Sequence, residues 1–352
     1  MLWLEDVAIA APASDEVLVR IDAAPLNPSD LGLLLGPADL STLRATEHGV
    51  EATVPPQLLG AMATRIDQAM PVGNEGAGVV VEAGAQASHL VGRTVAIRVA
   101  SGSYAQYRAV KAAHCIVLPE GTTARDGAAA FINPLTALGM VETLRREGHK
   151  ALVHTAAASN LGQMLNRLCL ADGVPLVNIV RSAAQVALLR EQGARHVLDS
   201  SAADFRDQLV AAIAETGATL AFDAIGGGRM ASTILGAMEQ VALRALTSYS
   251  RYGSPVHKQV YIYGMLDTGP RILDGNFGLA WGVSGWLLTW FYAKLPPADA
   301  ARLQARAAAE LTTTFASAYT ASIGLAEALS PEVIRAYARR ATGEKYLIEP
   351  QR

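Results

Sequence analysis

Residues 151–170 constrain the fold of this chain more than any other segment. They begin with a short apolar run at 151–154, continue through small residues at 155–162, and then return apolar residues at helical spacing. A buried strand, a tight turn and a helix in that order form the phosphate-binding corner of a dinucleotide fold, where unpaired N–H groups at the helix N-terminus face a pyrophosphate. The segment therefore predicts a unit that can hold a dinucleotide.

The turn in this segment lacks the usual G-x-G-x-x-G pattern, because only Gly162 of the three glycines is present. Asparagine tolerates a left-handed backbone best among the other residues, so Asn160 is predicted to take the turn that a glycine would take. For these residues alone, an ordinary strand-to-helix turn of any parallel sheet remains the alternative.

The length and charge of the chain limit its class. Its 352 residues suit two domains better than a single core. A net charge of −3 without a cluster of lysine and arginine excludes the electrostatic footprint of a nucleic-acid-binding protein. We therefore expect small-molecule partners.

The cysteines and the N-terminal residues indicate the cellular compartment of the protein. The two cysteines, Cys115 and Cys169, make neither a disulfide framework nor a zinc lobe, which fits a reducing environment. Glu5 and Asp6 stand where a secretion signal needs basic residues, so no targeting segment is expected. A cytoplasmic protein is predicted.

Residues 277–293 are uncharged and imitate a membrane span. They fall short of the roughly 20 apolar residues that a bilayer needs, and three glycines interrupt them. No membrane partner is expected.

The first third of the chain has the pattern of a small β-barrel. Residues 16–22 alternate apolar and charged side chains, as a half-buried strand does in an antiparallel region. Glycine turns then join short strands at 79–82 and 91–97, and further strands are predicted at 103–107 and 115–119.

From residue 126 the pattern becomes helical, and after residue 147 strands and helices alternate. Strands are predicted at 151–155, 175–180, 196–198, 219–223 and 259–263, with helices around 183–192 and 203–216. That alternation indicates a doubly wound parallel sheet with right-handed crossovers. The polar residues 245–258 before the last strand have no assigned role.

Residues 37–72 form a separate passage between the first strand and the barrel hairpin. The passage is loop-like at first, and then Leu58, Leu59, Met62, Ile66 and Met70 recur at helical spacing. We interpret it as an amphipathic helix, which either covers the substrate cleft as a lid or packs on the barrel.

The residues after the second strand of the parallel sheet bear on cofactor choice. In an NAD site an acid at this position binds the ribose 2′-hydroxyl, whereas an NADP site places cations or hydroxyls there. Here Arg181 and Ser182 follow the strand, and no acid occurs before Glu191. This favours NADPH, with an incidental surface arginine as the alternative.

Seven segments in order resemble those of the medium-chain dehydrogenase/reductase superfamily, in its zinc-free quinone oxidoreductase and enoyl reductase branches. They are the Asn-Pro-Ser-Asp loop at 27–30, the glycine hairpin at 73–78, and the segments at 133–137, 156–162, 193–199, 222–227 and 343–348. The resemblance covers nearly the whole chain.

The resemblance implies an α/β fold with two domains. A partly open GroES-like β-barrel, the catalytic domain, would take residues 1–125 and 290–352, and a Rossmann domain with a doubly wound parallel sheet would take residues 126–289. The nicotinamide would lie in the cleft between them. The resemblance also implies a homodimer through edge strands of the nucleotide-binding sheets, with the 277–293 run as a strand buried in that interface.

One departure from zinc-dependent relatives concerns the metal. Ser29, Asn74 and Asn133 stand near the positions where those relatives supply ligands, and of the expected set only Glu75 is present. One carboxylate cannot make a tetrahedral zinc site, so no metal is expected. Glu75 and Asp30 are predicted to hold loop N–H groups rather than to move protons.

Hydride transfer without a metal needs an electron-poor acceptor, such as a quinone or an α,β-unsaturated carbonyl compound, and donors for the developing oxyanion. Asn27, Asn133, Thr136 and Tyr263 are the candidate donors. The predicted cofactor contacts are Asn133, Thr136, Ala157, Ala158, Ser159, Asn160, Leu161, Gly162, Arg181, Ser182, Ile225, Gly226, Gly264, Met265, Phe277 and Lys345.

Three functions remain open at this point. The first is an NADPH-dependent quinone or enone reductase. The second is an enoyl-thioester reductase, although leucines 33–35 stand where the fatty-acid enzymes have a tyrosine. The third is an NADPH-binding regulatory protein with little turnover, which the altered glycine turn suggests.

Overall fold

The computed structural model describes residues 1–99, 102–339 and 343–352 of the chain. These residues form two compact units, one of Met1–Ile132 with Gln304–Arg352 and the other of Asn133–Leu303. The domain bounds expected from the sequence, 125/126 and 289/290, lie before the two boundaries of the structure. The first boundary falls at the start of a helix and the second falls inside one.

The first half of the chain contains strands β1 (Leu2–Trp3), β2 (Glu16–Pro25), β3 (Asp39–Thr46), β4 (Gly49–Thr53), β5 (Glu75–Ala83), β6 (Thr94–Arg98), β7 (Tyr107–Lys111) and β8 (Cys115–Val117), with helices α1 (Pro28–Leu34) and α2 (Ala124–Gly127). Helix α3 (Ile132–Arg146) leads into β9 (Leu152–His154), α4 (Asn160–Asp172), β10 (Leu176–Val180), α5 (Ala183–Glu191), β11 (His196–Asp199), α6 (Phe205–Thr216), β12 (Leu220–Asp223), β13 (Gly226–Gly228), α7 (Met230–Arg244), β14 (Lys258–Ile262), β15 (Asp267–Arg271) and β16 (Trp281–Gly285). The chain closes with α8 (Leu288–Ala293), α9 (Pro297–Ala309), β17 (Ala321–Ile323), α10 (Pro331–Ala338) and β18 (Tyr346–Ile348). Short 3₁₀ helices lie at Pro56–Met62, Ala85–Leu90, Ala112–His114 and Glu327–Leu329.

The first unit is built around β2. Its sheet runs in the order β17-β18-β2-β5-β6-β8, and β7 also pairs with β2. Val17, Val19 and Ile21 on one face of β2 are fully buried, while Arg20 and Asp22 bond to each other on the other face. The alternation in the sequence therefore does mark a half-buried antiparallel strand.

Two predictions for this unit need correction. Residues 103–107 were expected to form a strand, but β7 covers Tyr107–Lys111 instead. The helical pattern from residue 126 is also interrupted, because α2 ends at Gly127 and α3 begins at Ile132. The N–H groups of residues 131 and 132, where α3 begins, donate to the Glu75 carboxylate and not to a preceding helical turn.

The prediction of an amphipathic helix in residues 37–72 is wrong. Strands β3 and β4 form a hairpin that joins β1 in a three-stranded sheet, and residues 56–62 form a 3₁₀ helix without a buried residue. Leu58 and Ile66 are exposed, and Asp67 adopts a left-handed backbone with φ +57°. An apolar stripe stabilises an α-helix only when it is buried, and here all of its members except the half-buried Met62 are exposed.

The second unit contains the predicted doubly wound sheet, in the order β11-β10-β9-β12-β14-β16 with every pairing parallel. Numbered along the chain, this order is 3-2-1-4-5-6, which places the switch point between β9 and β12. Val153, Val177 and Ala221 from three strands pack in one core with Leu209 and Leu235 of α6 and α7. The predicted α/β fold is confirmed.

Residues 277–293 are only partly a strand. Residues 281–285 form β16 at one edge of the parallel sheet, and residues 288–293 form α8. No helix within the described parts of the chain is long and apolar enough to cross a membrane.

A buried ion pair fixes the polar segment 245–258. The Lys258 ammonium donates to the Glu239 carboxylate, and both side chains are almost fully buried. Glu239 also accepts hydrogen bonds from the N–H and the hydroxyl of Ser254, at 2.8 and 2.6 Å. Although burial raises the pKa of Glu239, the hydrogen bonds from Lys258 and Ser254 hold it below its ordinary value.

Replacing Lys258 by methionine should leave the Glu239 charge buried without its partner, at a cost of about 3–5 kcal/mol in the free energy of unfolding. Urea unfolding measures this change. The exposed pair between Arg195 and Glu215 supplies the control, because Arg195→Ala should cost no more than about 1 kcal/mol. A Lys258→Met protein as stable as the Arg195→Ala protein would contradict this account.

Candidate functional site

The turn between β9 and α4 forms a cradle of small residues. Ala156 takes the left-handed conformation with φ +50°, and the Ser159 hydroxyl caps α4 by accepting a hydrogen bond from the Gly162 N–H at 3.1 Å. The prediction that Asn160 takes the left-handed position is wrong, because Asn160 is the first residue of α4. A Cβ on Gly162 would lie 2.1 Å from the Ala157 carbonyl oxygen, so only glycine fits at this position.

A hydrogen-bonded junction ties the carboxyl ends of β9 and β12. The Thr155 hydroxyl donates to Asp223 Oδ1 at 2.7 Å and accepts the Ala224 N–H at 2.8 Å. Asp223 also accepts the N–H groups of Ile225 and Gly226, at 2.9 and 3.2 Å. The junction lies at the switch point of the sheet, where ligands bind in doubly wound folds.

Arg181 and Ser182 follow β10 at the same edge. The Ser182 hydroxyl caps α5 by accepting the Gln185 N–H at 3.4 Å, and the Gln185 side chain accepts the Arg181 N–H at 3.0 Å. These bonds fix the backbone of the loop, while the Arg181 side chain is exposed.

The loops after β12 and β14 approach each other closely. A Cβ on Gly264 would lie 2.6 Å from the Ala224 carbonyl oxygen, and the adjacent Met265 is 64% exposed. Phe277, another predicted cofactor contact, is 5% exposed and packs edge to face on Trp281 in the core. Its position is explained by packing.

His154 and Tyr263 form a hydrogen-bonded pair at the ends of β9 and β14. His154 Nε2 lies 2.8 Å from the Tyr263 hydroxyl, and the two rings stack with their centroids 5.7 Å apart. Tyr263 is among the residues expected from the sequence, whereas His154, Thr155 and Asp223 are not. The signal available was a polar residue at the end of each buried apolar strand.

A second polar group, the Glu75 cluster, lies in the first unit and consists of Asn27, Asp30, Glu75 and Lys345. Glu75 is buried, accepts the Asn27 amide at 2.7 Å through Oε1, and accepts the N–H groups of Phe131 and Ile132 at 2.9 Å each through Oε2. Burial raises the pKa of Glu75, and Lys345 and these hydrogen bonds oppose that rise. Since the Asn27 amide group already donates to Glu75, its orientation is fixed and its capacity to donate to a substrate is reduced.

Asp30 holds two loop N–H groups. Oδ2 accepts the Asn27 N–H at 2.8 Å, and Oδ1 accepts the Asn74 N–H at 3.1 Å. Burial raises the pKa of Asp30 to about 6, against these hydrogen bonds, which lower it. Asp30 and Glu75 therefore act on loop N–H groups, as the sequence predicted.

Lys345 carries the cation of the Glu75 cluster. Its Nζ is buried, has no hydrogen-bond partner among the described residues, and lies 5.5 Å from the centroid of the Tyr319 ring. Burial lowers the pKa of Lys345 to about 8, and the charges of Glu75 and Asp30 oppose that shift. An ammonium held in this way can switch charge near neutral pH.

Asn133 and Thr136 lie three residues apart in the first turns of α3. They share one side of the helix, with Thr136 buried and Asn133 half-buried. Their contact with a nicotinamide stays a prediction.

Within residues 1–99, 102–339 and 343–352, no three His, Cys, Asp or Glu side chains come together as a possible metal-ligand set. Asn74, near the position of a ligand histidine in zinc-dependent relatives, bonds through its own N–H to Asp30.

The doubly wound sheet, the cradle and the switch-point junction have the arrangement found in dinucleotide-binding α/β proteins. Residues 13–120 match the alcohol dehydrogenase GroES-like domain family. With the structural matches below, the chain is similar to the zinc-free quinone oxidoreductases and enoyl reductases of the medium-chain dehydrogenase/reductase superfamily.

Known proteins resemble the chain in sequence and in structure. A crystal structure described as a putative NADPH:quinone reductase from Mesorhizobium loti is 28% identical with a TM-score of 0.74, and the match covers 98% of this chain and 89% of that one. Escherichia coli quinone oxidoreductase complexed with NADPH has a TM-score of 0.67 at 18% identity, over 99% and 95% of the two chains. The mitochondrial enoyl-[acyl-carrier-protein] reductase of Xenopus tropicalis is 28% identical over 56% of this chain and 52% of its own length. The chain spans about half the length of the curated relatives it matches.

The raised pKa of Asp30 predicts a pH dependence of stability. Because the folded-state pKa is about 6 and the ordinary value is 3.8, the protonated carboxyl favours the folded state, and this contribution is lost as the pH rises through 6. The free energy of unfolding of the wild type, relative to Asp30→Asn, should fall by the order of 3 kcal/mol between pH 4 and pH 7. Urea unfolding at each pH measures it, with Ser29→Ala as a neighbouring control. A relative stability that stays flat over this range would refute the prediction.

Proposed function

We propose that this protein is an NADPH-dependent oxidoreductase that reduces a quinone or an α,β-unsaturated carbonyl compound without a metal ion. The observation that carries the proposal is the cradle at residues 156–162, which opens at the switch point of a 3-2-1-4-5-6 sheet. The relatives with quinone reductase and enoyl reductase names support the reaction class.

The cradle fits a dinucleotide. The pyrophosphate would lie against the small residues 157–162 at the N-terminus of the 13-residue α4, and the absent Cβ of Gly162 allows the close helix–turn approach. Bound NADPH supplies a hydride. Arg181 and Ser182 would bind its 2′-phosphate, and residues 225, 226, 264 and 265 would border the nicotinamide half.

The residues of the chain have three tasks in this reaction. The junction of Thr155 and Asp223 holds the loops that border the reactive end of the cofactor at a fixed spacing. Asn133, Thr136 and Tyr263 are the hydroxyl and amide groups proposed to bind the acceptor or the nicotinamide. The Glu75 cluster fixes the Asn27 loop by hydrogen bonds that need no metal.

Substrate assays separate the three candidate functions. Oxidation of NADPH should be measured with quinones, small enones and enoyl-CoA thioesters, each before and after exhaustive chelation. Turnover of quinones or enones that survives chelation supports the proposal. Turnover confined to thioesters indicates an enoyl-thioester reductase, binding of NADPH without turnover indicates a regulatory protein, and loss of activity on chelation refutes the metal-free reaction.

Arg181 should set the preference for NADPH. Replacing it by alanine removes a charge-assisted contact of about 1.5–3 kcal/mol, which corresponds to roughly one to two powers of ten in the Kd for NADPH. The Kd for NADH should change little, because NADH lacks the 2′-phosphate. Fluorescence titration of both cofactors measures the ratio, and Arg190→Ala on the exposed side of α5 is the charge-matched control. An unchanged ratio in Arg181→Ala would assign the phosphate to other residues.

We also propose that two copies of the chain associate through β16. This strand is the last of its sheet, so its outer edge can pair with another strand. Exposed apolar side chains flank it, with Leu279 at 74% and Trp290 at 67% exposure. Sedimentation equilibrium distinguishes the dimer from a monomer.

A further inference from the structure

The His154 and Tyr263 pair lies where the carboxyl ends of the parallel strands meet. His154 is the last residue of β9 and is fully buried, whereas Tyr263 directly follows β14 and is half-buried. The 2.8 Å contact between His154 Nε2 and the Tyr263 hydroxyl has two possible directions, depending on which ring nitrogen carries hydrogen.

The surroundings of His154 decide between these directions. Burial lowers the pKa of His154 to about 3, so the imidazole is neutral and carries one hydrogen. Its Nδ1 is buried without a hydrogen-bond partner among the described residues. A hydrogen on Nδ1 would leave a buried N–H donor unsatisfied, which folded proteins rarely tolerate. The unpartnered Nδ1 therefore favours the tautomer with its hydrogen on Nε2, in which His154 donates to the Tyr263 oxygen.

This direction leaves the O–H of Tyr263 available for another acceptor. The Tyr263 ring stacks on the His154 ring and meets Phe222 edge to face with the ring centroids 6.5 Å apart. The Tyr263 backbone is fixed by a 3.0 Å bond from its N–H to the Asp223 carbonyl. Burial, and then the Asp223 carboxylate, raise the pKa of the Tyr263 phenol, so it keeps its proton at working pH. Tyr263 is thus a fixed donor.

The position of Tyr263 in the sheet indicates what it faces. Arg181 follows β10 on one side of the switch point, and Tyr263 follows β14 on the other side. A dinucleotide lies across the switch point, so a 2′-phosphate near Arg181 puts the nicotinamide half over the ends of β12 and β14.

We propose that the Tyr263 hydroxyl, oriented by His154, donates a hydrogen bond to a carbonyl oxygen at the nicotinamide end of the site. The oxygen belongs either to the carboxamide of NADPH or to the acceptor. In the second case the bond strengthens as negative charge develops on that oxygen. The proposal rests on the proposed NADPH-dependent function, which puts a carbonyl group there.

The tautomer of His154 can be measured without a ligand. Nitrogen-15 NMR of the histidine side chains, assigned with His154→Gln, should show a neutral ring protonated at Nε2 from pH 6 to pH 9. A ring protonated at Nδ1 would reverse the hydrogen bond and overturn the proposal, whether or not the protein is an NADPH-dependent enzyme.

Variants identify the acceptor of the hydrogen bond. Tyr263→Phe should worsen either the Kd for NADPH or the kcat/KM for the acceptor by roughly twofold to tenfold, because it removes one neutral hydrogen bond. A higher Kd for NADPH with an unchanged KM for the acceptor assigns the bond to the carboxamide, and a lower kcat/KM with an unchanged Kd assigns it to the acceptor. His154→Leu should act on the same constant, and adding it to Tyr263→Phe should cost little more.

Tyr261→Phe is the matched control, because this tyrosine lies on the same strand and its hydroxyl donates to Glu147 at 2.7 Å. It should leave both constants unchanged. If the wild type binds NADPH and turns over while Tyr263→Phe behaves like Tyr261→Phe, the proposal is overturned and the proposed function stands. If the wild type binds no NADPH, the proposed function fails, and this inference with it.

Discussion

The hydrogen bond from Thr155 to Asp223 joins the ends of the two strands from which the parallel sheet winds in opposite directions, and the candidate site depends on it. The connections that follow β9 and β12 lead to opposite sides of the sheet, so a crevice opens between the two loops. Without a bridge the two loops could separate. Asp223 instead accepts bonds from Thr155 and from the backbone after β12, so one buried carboxylate sets the spacing of both walls.

The buried carboxylates of the first unit serve the backbone in the same way. Glu75 and Asp30 each accept two or more hydrogen bonds, and most of these come from N–H groups of loops that belong to no strand or helix ladder. A buried N–H group without a partner costs about 1–3 kcal/mol, so each carboxylate stabilises an irregular loop that water cannot reach. The ammonium of Lys345 compensates their charge from a distance. The irregular backbone of these loops can therefore stay rigid.

The parallel sheet could be predicted from the sequence because its strands are apolar runs separated by helical repeats, a contrast that is visible without tertiary contacts. The residue that adopts the left-handed conformation in the cradle could not be predicted from the sequence. The choice between Ala156 and Asn160 depends on where α4 begins, and the Ser159 cap places that start one residue after the serine. The helical spacing from Leu58 to Met70 gave a wrong prediction of a helix for a related reason. Such spacing predicts a helix only if another surface buries the apolar side chains. The Glu75 cluster joins residues 27, 75 and 345, and no local pattern reports such a contact.

The pairing of β2 with β18 has a consequence for the order in which the chain can fold during synthesis. Pro25 and Ala24 pair with Leu347 and Ile348, so the sheet of the first unit needs strands from both ends of the sequence. The second unit lies wholly between them, at residues 133–303. Because domains fold as units while the ribosome delivers the chain from its N-terminus, the second unit is complete before β18 has been made. The edge of β2 that pairs with β18 therefore stays unpaired until residues 346–348 leave the ribosome.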